Sequence, residues 1–160
     1  MLKSITSYQA MLLVFVITFA TIAGAWIFQF AGYEPCELCL MQRYAYYAAV
    51  PLSLLFVILA KDNVTLLRGG LVLLGLIMLG SCIFGIFHAG VEWKFWAGPT
   101  TCTGGSLGGG LPDLTKQAVM CDQPAIRILG LSLAGWNAII SGFAAFLALN
   151  KSYGSSSASQ

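Results

Sequence analysis

Four long stretches free of charged residues dominate the hydrophobic pattern of the chain. An α-helix rises about 1.5 Å per residue, so about 20 apolar residues cross a hydrocarbon core about 30 Å thick. Strands of a membrane barrel would instead alternate over segments of about 10 residues. The pattern therefore predicts an all-α integral membrane protein, a single domain with a bundle of four transmembrane helices near residues 10–31, 42–60, 68–90 and 128–150.

The first stretch has one competing interpretation. Lys3, an apolar run and Ala23-Gly24-Ala25 together resemble a cleavable signal peptide. The apolar run, however, continues past that point through Trp26 to Phe30. We therefore favour a retained first span.

Composition agrees with a membrane protein, since 58% of the residues are hydrophobic and 9% are charged. A soluble domain carries about 25% charged residues. The formal net charge of +2 is small, and no block of basic residues occurs. These features argue against a nucleic-acid partner.

Four spans place the loops 32–41 and 91–127 on the same face of the membrane. Four of the five cysteines lie in these two loops and can therefore meet: Cys36, Cys39, Cys102 and Cys121. The fifth, Cys82, lies within the third span and is interpreted as a small packing residue.

The orientation rests on two weak signals. Each face carries four Lys or Arg residues, so counting them decides nothing. The short connection between Lys61 and Arg68 is basic, which favours a cytoplasmic position for it because the positive-inside rule applies to short loops. Disulfides also persist in oxidising compartments. Both signals favour cysteine loops that face the periplasm.

Cys36 and Cys39 form a Cys-x-x-Cys motif before the second span. The small ring of such a disulfide favours redox exchange, and a helix N-terminus stabilises a thiolate. Arg43, four residues after Cys39, can add to this stabilisation, whereas Glu37 opposes it. The alternatives are a structural disulfide or half of a metal site. We predict no metal ligands, because zinc sites usually have two close pairs, whereas Cys102 and Cys121 are nineteen positions apart.

The second pair encloses 18 residues. A disulfide between Cys102 and Cys121 would constrain this loop by about 3 kcal/mol in the chain-entropy model, which is a sufficient structural role. The functional alternative is that the pair exchanges disulfides with a soluble dithiol. Two pairs on one face would then form an electron relay.

Such a relay needs an electron acceptor, and the sequence contains no haem, flavin or iron–sulfur motif. A lipid-soluble quinone is the acceptor that a membrane offers. Arg43 and His88 are placed at similar depth below the Cys-x-x-Cys motif, where they could bind quinone oxygens. The alternatives are a snorkelling Arg43 and a hydrogen-bonded packing role for His88.

Three further segments have simpler patterns. The glycine-rich segment 103–110 is predicted to be a flexible loop. The segment 111–120 could form a short interfacial helix, and the serine-rich tail 152–160 is predicted to be disordered.

The chain resembles, over nearly its whole length, the DsbB family of quinone-reducing disulfide-bond formation proteins of bacterial inner membranes. Besides the four spans, the resemblance rests on Cys102, Cys121 and the segments 34–43 (EPCELCLMQR), 88–93 (HAGVEW) and 133–137 (LAGWN).

The resemblance implies a protein-disulfide oxidoreductase that uses ubiquinone or menaquinone. A reduced periplasmic thioredoxin-fold oxidase of the DsbA type would attack a Cys102–Cys121 disulfide at Cys102. Cys121 would then attack Cys36, and Cys39 would leave as a thiolate and donate to quinone with help from Arg43.

Two other functions remain. A quinone reductase of the vitamin K epoxide reductase type also has four helices and a Cys-x-x-Cys motif, although that motif is usually placed late in the chain. A membrane metal or thiol carrier would use the cysteines as ligands and would not be an enzyme. Metal analysis and quinone reduction assays separate these functions.

Overall fold

The structure is a computed structural model that describes residues 5–99, 102 and 120–153. Within these residues, four helices are long and apolar enough to cross a membrane. The predicted four-helix membrane fold is therefore confirmed. The helices are α1 (Ser7–Phe30), α2 (Glu37–Leu59), α3 (Val64–Glu92) and α4 (Leu133–Tyr153).

Polar side chains fix where the first three helices begin, because they accept hydrogen bonds from backbone N–H groups of the first turn. Thr6 forms a capping box with Gln9 at the start of α1. Asn63 accepts a hydrogen bond from the backbone of Leu66 at the start of α3. Cys36 caps α2 through its sulfur, so this helix begins at residue 37 and not near 42. The second cysteine of the motif consequently lies inside the first turn of α2.

Small residues allow α3 and α4 to pack closely, as is common between membrane helices. A Cβ atom at Gly85 would lie 3.0 Å from backbone atoms of Ala138. A Cβ atom at Gly142 would lie 3.1 Å from the sulfur of Cys82. Cys82 therefore contributes to the contact between these two helices.

The buried core joins all four helices and contains apolar side chains such as Met11, Leu74 and Ala148 and the aromatic ring of Tyr46. Other large apolar residues, among them Phe19, Ile58 and Ile83, are more than half exposed on the outside of the bundle. An apolar exterior of this kind suits a hydrocarbon environment.

A polar network crosses the interior between three helices. The Tyr46 hydroxyl donates to Asn137 Oδ1 at 2.5 Å. The Asn137 amide in turn donates to the backbone oxygen and the hydroxyl of Ser81, each at 3.5 Å. This network links α2, α4 and α3 near the middle of the bundle.

A short antiparallel hairpin precedes α4, formed by β1 (Arg127–Ile128) and β2 (Leu131–Ser132). Leu129 and Gly130 form its turn with φ angles of 53° and 82°. The Ser132 hydroxyl then accepts a hydrogen bond from the backbone of Gly135. The fourth helix therefore begins at residue 133, whereas the sequence predicted a span from 128.

At its other end, α4 continues to Tyr153, so the first two residues of the predicted disordered tail are helical. The rest of that tail, the glycine-rich segment 103–110 and nearly all of the predicted interfacial helix 111–120 lie outside the described residues.

Candidate redox site

The first cysteine pair lies at the N-terminus of α2. Cys36 is the N-cap residue, and its sulfur accepts a hydrogen bond from the backbone N–H of Cys39 at 3.2 Å. The two sulfur atoms are 2.7 Å apart and both are free thiols. The structure thus places the two sulfur atoms near enough to form a disulfide.

The two thiols of this pair differ in their surroundings. Cys36 is buried and donates a hydrogen bond to the Cys39 sulfur. This hydrogen bond, together with burial, raises the pKa of the Cys36 thiol well above its ordinary value.

The second pair, Cys102 and Cys121, forms a disulfide with a Cα–Cα distance of 5.2 Å. Both residues are buried in one cluster with Cys36, Leu38 and Val91, hereafter the sulfur cluster. Partly buried residues, including Cys39, pack against this cluster. The structure therefore brings together all four loop cysteines that the topology predicted to share a face.

Arg43 lies one turn below the first pair and is directed toward α1. It is buried, and its guanidinium donates to Gln29 Oε1 at 2.5 Å and to the backbone oxygen of Ala25 at 3.2 Å. The same group lies 5.6 Å from the ring centroid of Trp26, within range of a cation–π interaction. These contacts hold the charge inside the bundle.

A cavity of about 390 Å³ opens between α1, α2, α4 and the hairpin, hereafter the apolar cavity. Its volume lies in the range of small-molecule sites, which combine an apolar wall with a few polar groups. Most of the wall is apolar, with residues such as Phe28, Ile128, Trp136 and Ile140. The polar and reactive residues of its wall include Cys39, Gln42, Arg43, Tyr46 and Asn137, together with Thr21, Tyr33 and Glu34.

His88 lies beside the thiols, and the described wall of the apolar cavity does not include it. Its Nε2 atom is 3.6 Å from the Cys36 sulfur and 3.8 Å from Glu92 Oε1. Its Nδ1 atom is 3.2 Å from the amide nitrogen of Gln42. The structure therefore brings Arg43 and Cys39 together at the cavity and places His88 at the sulfur cluster. A quinone contact for His88 stays a prediction.

Several site residues were not identified from the sequence, among them Gln29, Gln42 and Asn137. Gln29 holds Arg43, Gln42 contacts His88, and Asn137 lines the apolar cavity. A polar side chain within an apolar span is a signal for function, and this signal could have found Gln29 and Asn137. Gln42 carries a weaker signal because it adjoins the end of the span.

The site also contains a possible metal ligand set that the spacing of the cysteines did not reveal. One ligand atom each from Cys36, Cys39 and His88 lies within 4.8 Å of the others. Two thiols and an imidazole are ligands that zinc prefers. The third ligand comes from a helix 49 positions further along the chain than Cys39, so a search for two close cysteine pairs misses it.

The fold and site together define a multi-pass membrane protein with two adjoining cysteine pairs, the class of membrane disulfide oxidoreductases. Residues 7–150 match the family model described as Disulfide bond formation protein DsbB. The chain belongs to the DsbB family, and the resemblance noted from its sequence is confirmed.

Relatives named Disulfide bond formation protein B support this assignment. The chain is 33% identical to the protein of Cupriavidus metallidurans, covering 80% of this chain and 81% of that protein. It is 32% identical to the protein of Azoarcus sp., covering 79% and 80%. It is 30% identical to that of Albidiferax ferrireducens, covering 79% and 75%. No solved structure matches the chain significantly.

Proposed function

We propose that this disulfide bond formation protein reoxidises a soluble DsbA-type oxidase of the periplasm and passes the electrons to a membrane quinone, ubiquinone or menaquinone. One observation carries the proposal. Cys39 and Arg43 share the wall of the apolar cavity, while Cys36 packs in the sulfur cluster with the Cys102–Cys121 disulfide.

The first half of the reaction is thiol–disulfide exchange. A thiolate of the soluble partner attacks the sulfur of Cys102, which breaks the Cys102–Cys121 disulfide and releases Cys121 as a thiolate. Cys121 then attacks Cys36 of an oxidised Cys36–Cys39 pair, and Cys39 leaves as a thiolate. The second thiol of the partner resolves the mixed disulfide at Cys102, so that the partner leaves oxidised and Cys102 is released as a thiolate. Cys102 then attacks Cys121 of the Cys36–Cys121 disulfide, which re-forms the Cys102–Cys121 disulfide and leaves Cys36 and Cys39 both reduced. The reduced pair can then give two electrons and two protons to the acceptor and close again as a disulfide.

The second half takes place at the apolar cavity. Its apolar wall fits a quinone ring, and the side chains of Arg43, Gln42 and Asn137 offer hydrogen-bond donors for the ring oxygens. A quinone bound there supplies the capacity for two electrons and two protons. Arg43 holds a fixed positive charge near Cys39, which stabilises the thiolate before electron transfer and negative charge on the acceptor afterwards.

We also propose that the protein lies in the bacterial inner membrane with both cysteine loops in the periplasm. The short basic connection between Lys61 and Arg68 supports a cytoplasmic position for the opposite face. The Cys102–Cys121 disulfide agrees with an oxidising compartment.

The role of Cys39 tests the function directly. Purified Cys39→Ser protein, mixed with a reduced DsbA-type oxidase and a soluble quinone, should lose quinone reduction completely because no thiolate faces the cavity. Cys82→Ser is the matched control and should keep wild-type turnover, since Cys82 packs between α3 and α4. Quinone reduction that survives in Cys39→Ser would contradict the proposed function.

Among the alternatives, the vitamin K epoxide reductase type shares the four helices and the Cys-x-x-Cys motif, but the match of residues 7–150 to the DsbB family favours the proposed function over it. A metal carrier is supported by one observation, the close approach of Cys36, Cys39 and His88. Catalytic loss in Cys39→Ser would support the oxidase over a carrier without redox activity.

A further inference from the structure

The reduced first pair and His88 have a geometry close to that of a metal site. In a tetrahedral zinc site with bond lengths of about 2.3 Å to sulfur and 2.0–2.1 Å to nitrogen, sulfur and nitrogen ligands lie roughly 3.5 Å apart. The observed distance from the Cys36 sulfur to His88 Nε2 is 3.6 Å. Two sulfur ligands would be roughly 3.7 Å apart in the same geometry, whereas they are 2.7 Å apart here. A change of about 1 Å, within reach of side-chain rotation, is therefore sufficient.

Surrounding groups also suit a metal. Gln42 faces the other ring nitrogen of His88, and its amide oxygen, after a flip of the amide, can accept the Nδ1 proton and leave Nε2 free to bind. Glu92 is 8% exposed and lies beside Nε2. Its second oxygen is buried without a hydrogen-bond partner among the described residues. It can therefore act as a fourth ligand or receive a proton from bound water.

We propose that the reduced Cys36–Cys39 pair and His88 bind one divalent ion of the zinc type. Binding releases the two thiol protons, and the two thiolates then neutralise the charge of the ion. Oxidation to the Cys36–Cys39 disulfide removes both sulfur ligands, so the site exists only in the reduced state.

This state dependence gives the site a regulatory consequence. Both electrons that leave the first pair must come from the Cys36 and Cys39 sulfurs, which the ion occupies. A bound ion therefore blocks reoxidation of the pair and holds the protein in its reduced form. Chelation of the ion restores the thiols without any change in their oxidation state.

The test uses the full chain with Cys102→Ser and Cys121→Ser, so that a reductant leaves only one dithiol at the site. The reduced protein is titrated with Cd²⁺, and the thiolate-to-metal charge-transfer absorbance gives the stoichiometry. Zn²⁺-loaded protein is examined by X-ray absorption. We expect one ion per chain, with two sulfur ligands and at least one nitrogen ligand.

His88→Gln in the same background should weaken Cd²⁺ binding at least about tenfold. Removal of a group that only hydrogen-bonds to a metal ligand already lowers metal affinity by about tenfold or more, and removal of the ligand itself should lower it further. Adding Cys82→Ser should leave binding unchanged. Absence of binding by the reduced protein, a sulfur-only ligand shell, or equal affinity in His88→Gln would overturn the proposal. If His88→Gln fails to fold, X-ray absorption of the Zn²⁺-loaded protein with His88 intact still shows whether a nitrogen ligand binds the ion.

A final measurement separates this proposal from the proposed function. Zn²⁺ added to the reduced wild-type protein should stop quinone reduction, and a chelator should restore it. Metal binding in a protein that never reduces quinone would refute the electron route and keep the metal site. Quinone reduction unaffected by saturating Zn²⁺ would refute the metal site's regulatory role and keep the route.

Discussion

The sulfur cluster and the apolar cavity meet at two cysteines that are only three positions apart, yet they differ in nearly every property. Cys36 is buried with the Cys102–Cys121 disulfide, in a region suited to exchange between sulfur atoms. Cys39 lies on the wall of a cavity with a buried cation, a region suited to a polar, electron-accepting ring. The start of α2 separates their surroundings: Cys36 is the N-cap residue and Cys39 lies in the first helical turn, so the two residues have different neighbours although their sulfur atoms are 2.7 Å apart.

One disulfide between these cysteines can therefore have two kinds of partner without large movement. In the proposed route, a thiolate that attacks from the sulfur cluster meets Cys36, and the leaving sulfur is Cys39. The negative charge would then appear at the cavity, near Arg43. On this proposal, the order of two residues at one helix end sets the direction of electron flow.

The largest effect that would separate the two regions is expected for Arg43→Leu. It removes the charge from the cavity wall together with its hydrogen bonds to α1, and charged hydrogen bonds contribute about 1.5–3 kcal/mol. Quinone-dependent kcat/KM should fall about 10- to 100-fold, while a single round of exchange with the soluble dithiol keeps its rate. Arg43→Lys, which retains the charge, should lose less. Equal losses in quinone reduction and in exchange would show that the regions are not separate.

A smaller effect is expected for Tyr46→Phe. The change leaves Asn137 Oδ1 without the hydroxyl donor of Tyr46, which costs about 1–3 kcal/mol for a buried group. Since both residues line the cavity, the KM for quinone should rise while exchange is unchanged. Tyr47→Phe is the matched control, because Tyr47 is 43% exposed. An equal change of KM in both variants would argue against the hydrogen bond to Asn137.

The smallest effect concerns the rim of the sulfur cluster. Asp122 follows Cys121 and forms an ion pair with Lys94, whose hydrogen bond lowers the pKa of the Asp122 carboxyl. Because the pKa of Asp122 is lower in the folded state than in the unfolded state, the ion pair stabilises the fold at pH values above the unfolded pKa of about 3.9. This stabilisation is lost as the pH falls through the lower pKa of the folded state.

Thermal unfolding from pH 7 to pH 3 measures this contribution. Between pH 7 and pH 3, the melting temperature of the wild-type protein should fall slightly more than that of Asp122→Asn, because the variant has no carboxyl group at this position to protonate. The difference should be small because exposed ion pairs contribute little. A larger acid loss in Asp122→Asn would mean that the ion pair has no stabilising role.

Much of the fold could be predicted from the sequence, because runs of uncharged residues report directly on membrane spans. The hydropathy pattern failed at the start of α4, where apolar Ile128 and Leu131 belong to the hairpin. Local backbone chemistry, which hydropathy does not measure, determines this segment: the positive φ angles of Leu129 and Gly130 form the turn, and the Ser132 hydroxyl accepts a hydrogen bond at the start of α4.

The sequence could predict which residue types form the candidate site and how deep they lie in the membrane, but it could not predict which region each side chain faces. Position along a helix gives the depth of His88, whereas the packing of α3 against its neighbours decides which region its ring faces. The partner of Arg43 was hidden for the same reason, since Gln29 lies in α1 and only the packing of α1 on α2 brings them together. The third member of the metal ligand set likewise required tertiary structure.

The most direct test of the two-region account is to map disulfides in a Cys39→Ser, Cys102→Ser double variant, in which Cys36 and Cys121 have both lost their other partners. Oxidised protein should then accumulate a disulfide between Cys36 and Cys121, identified by proteolysis and mass spectrometry. A Cys36→Ser, Cys102→Ser variant, treated in the same way, should form little or no link from Cys39 to Cys121. A Cys39–Cys121 link as abundant as the Cys36–Cys121 link, or the absence of both, would contradict the assignment of Cys36 to the sulfur cluster and Cys39 to the cavity.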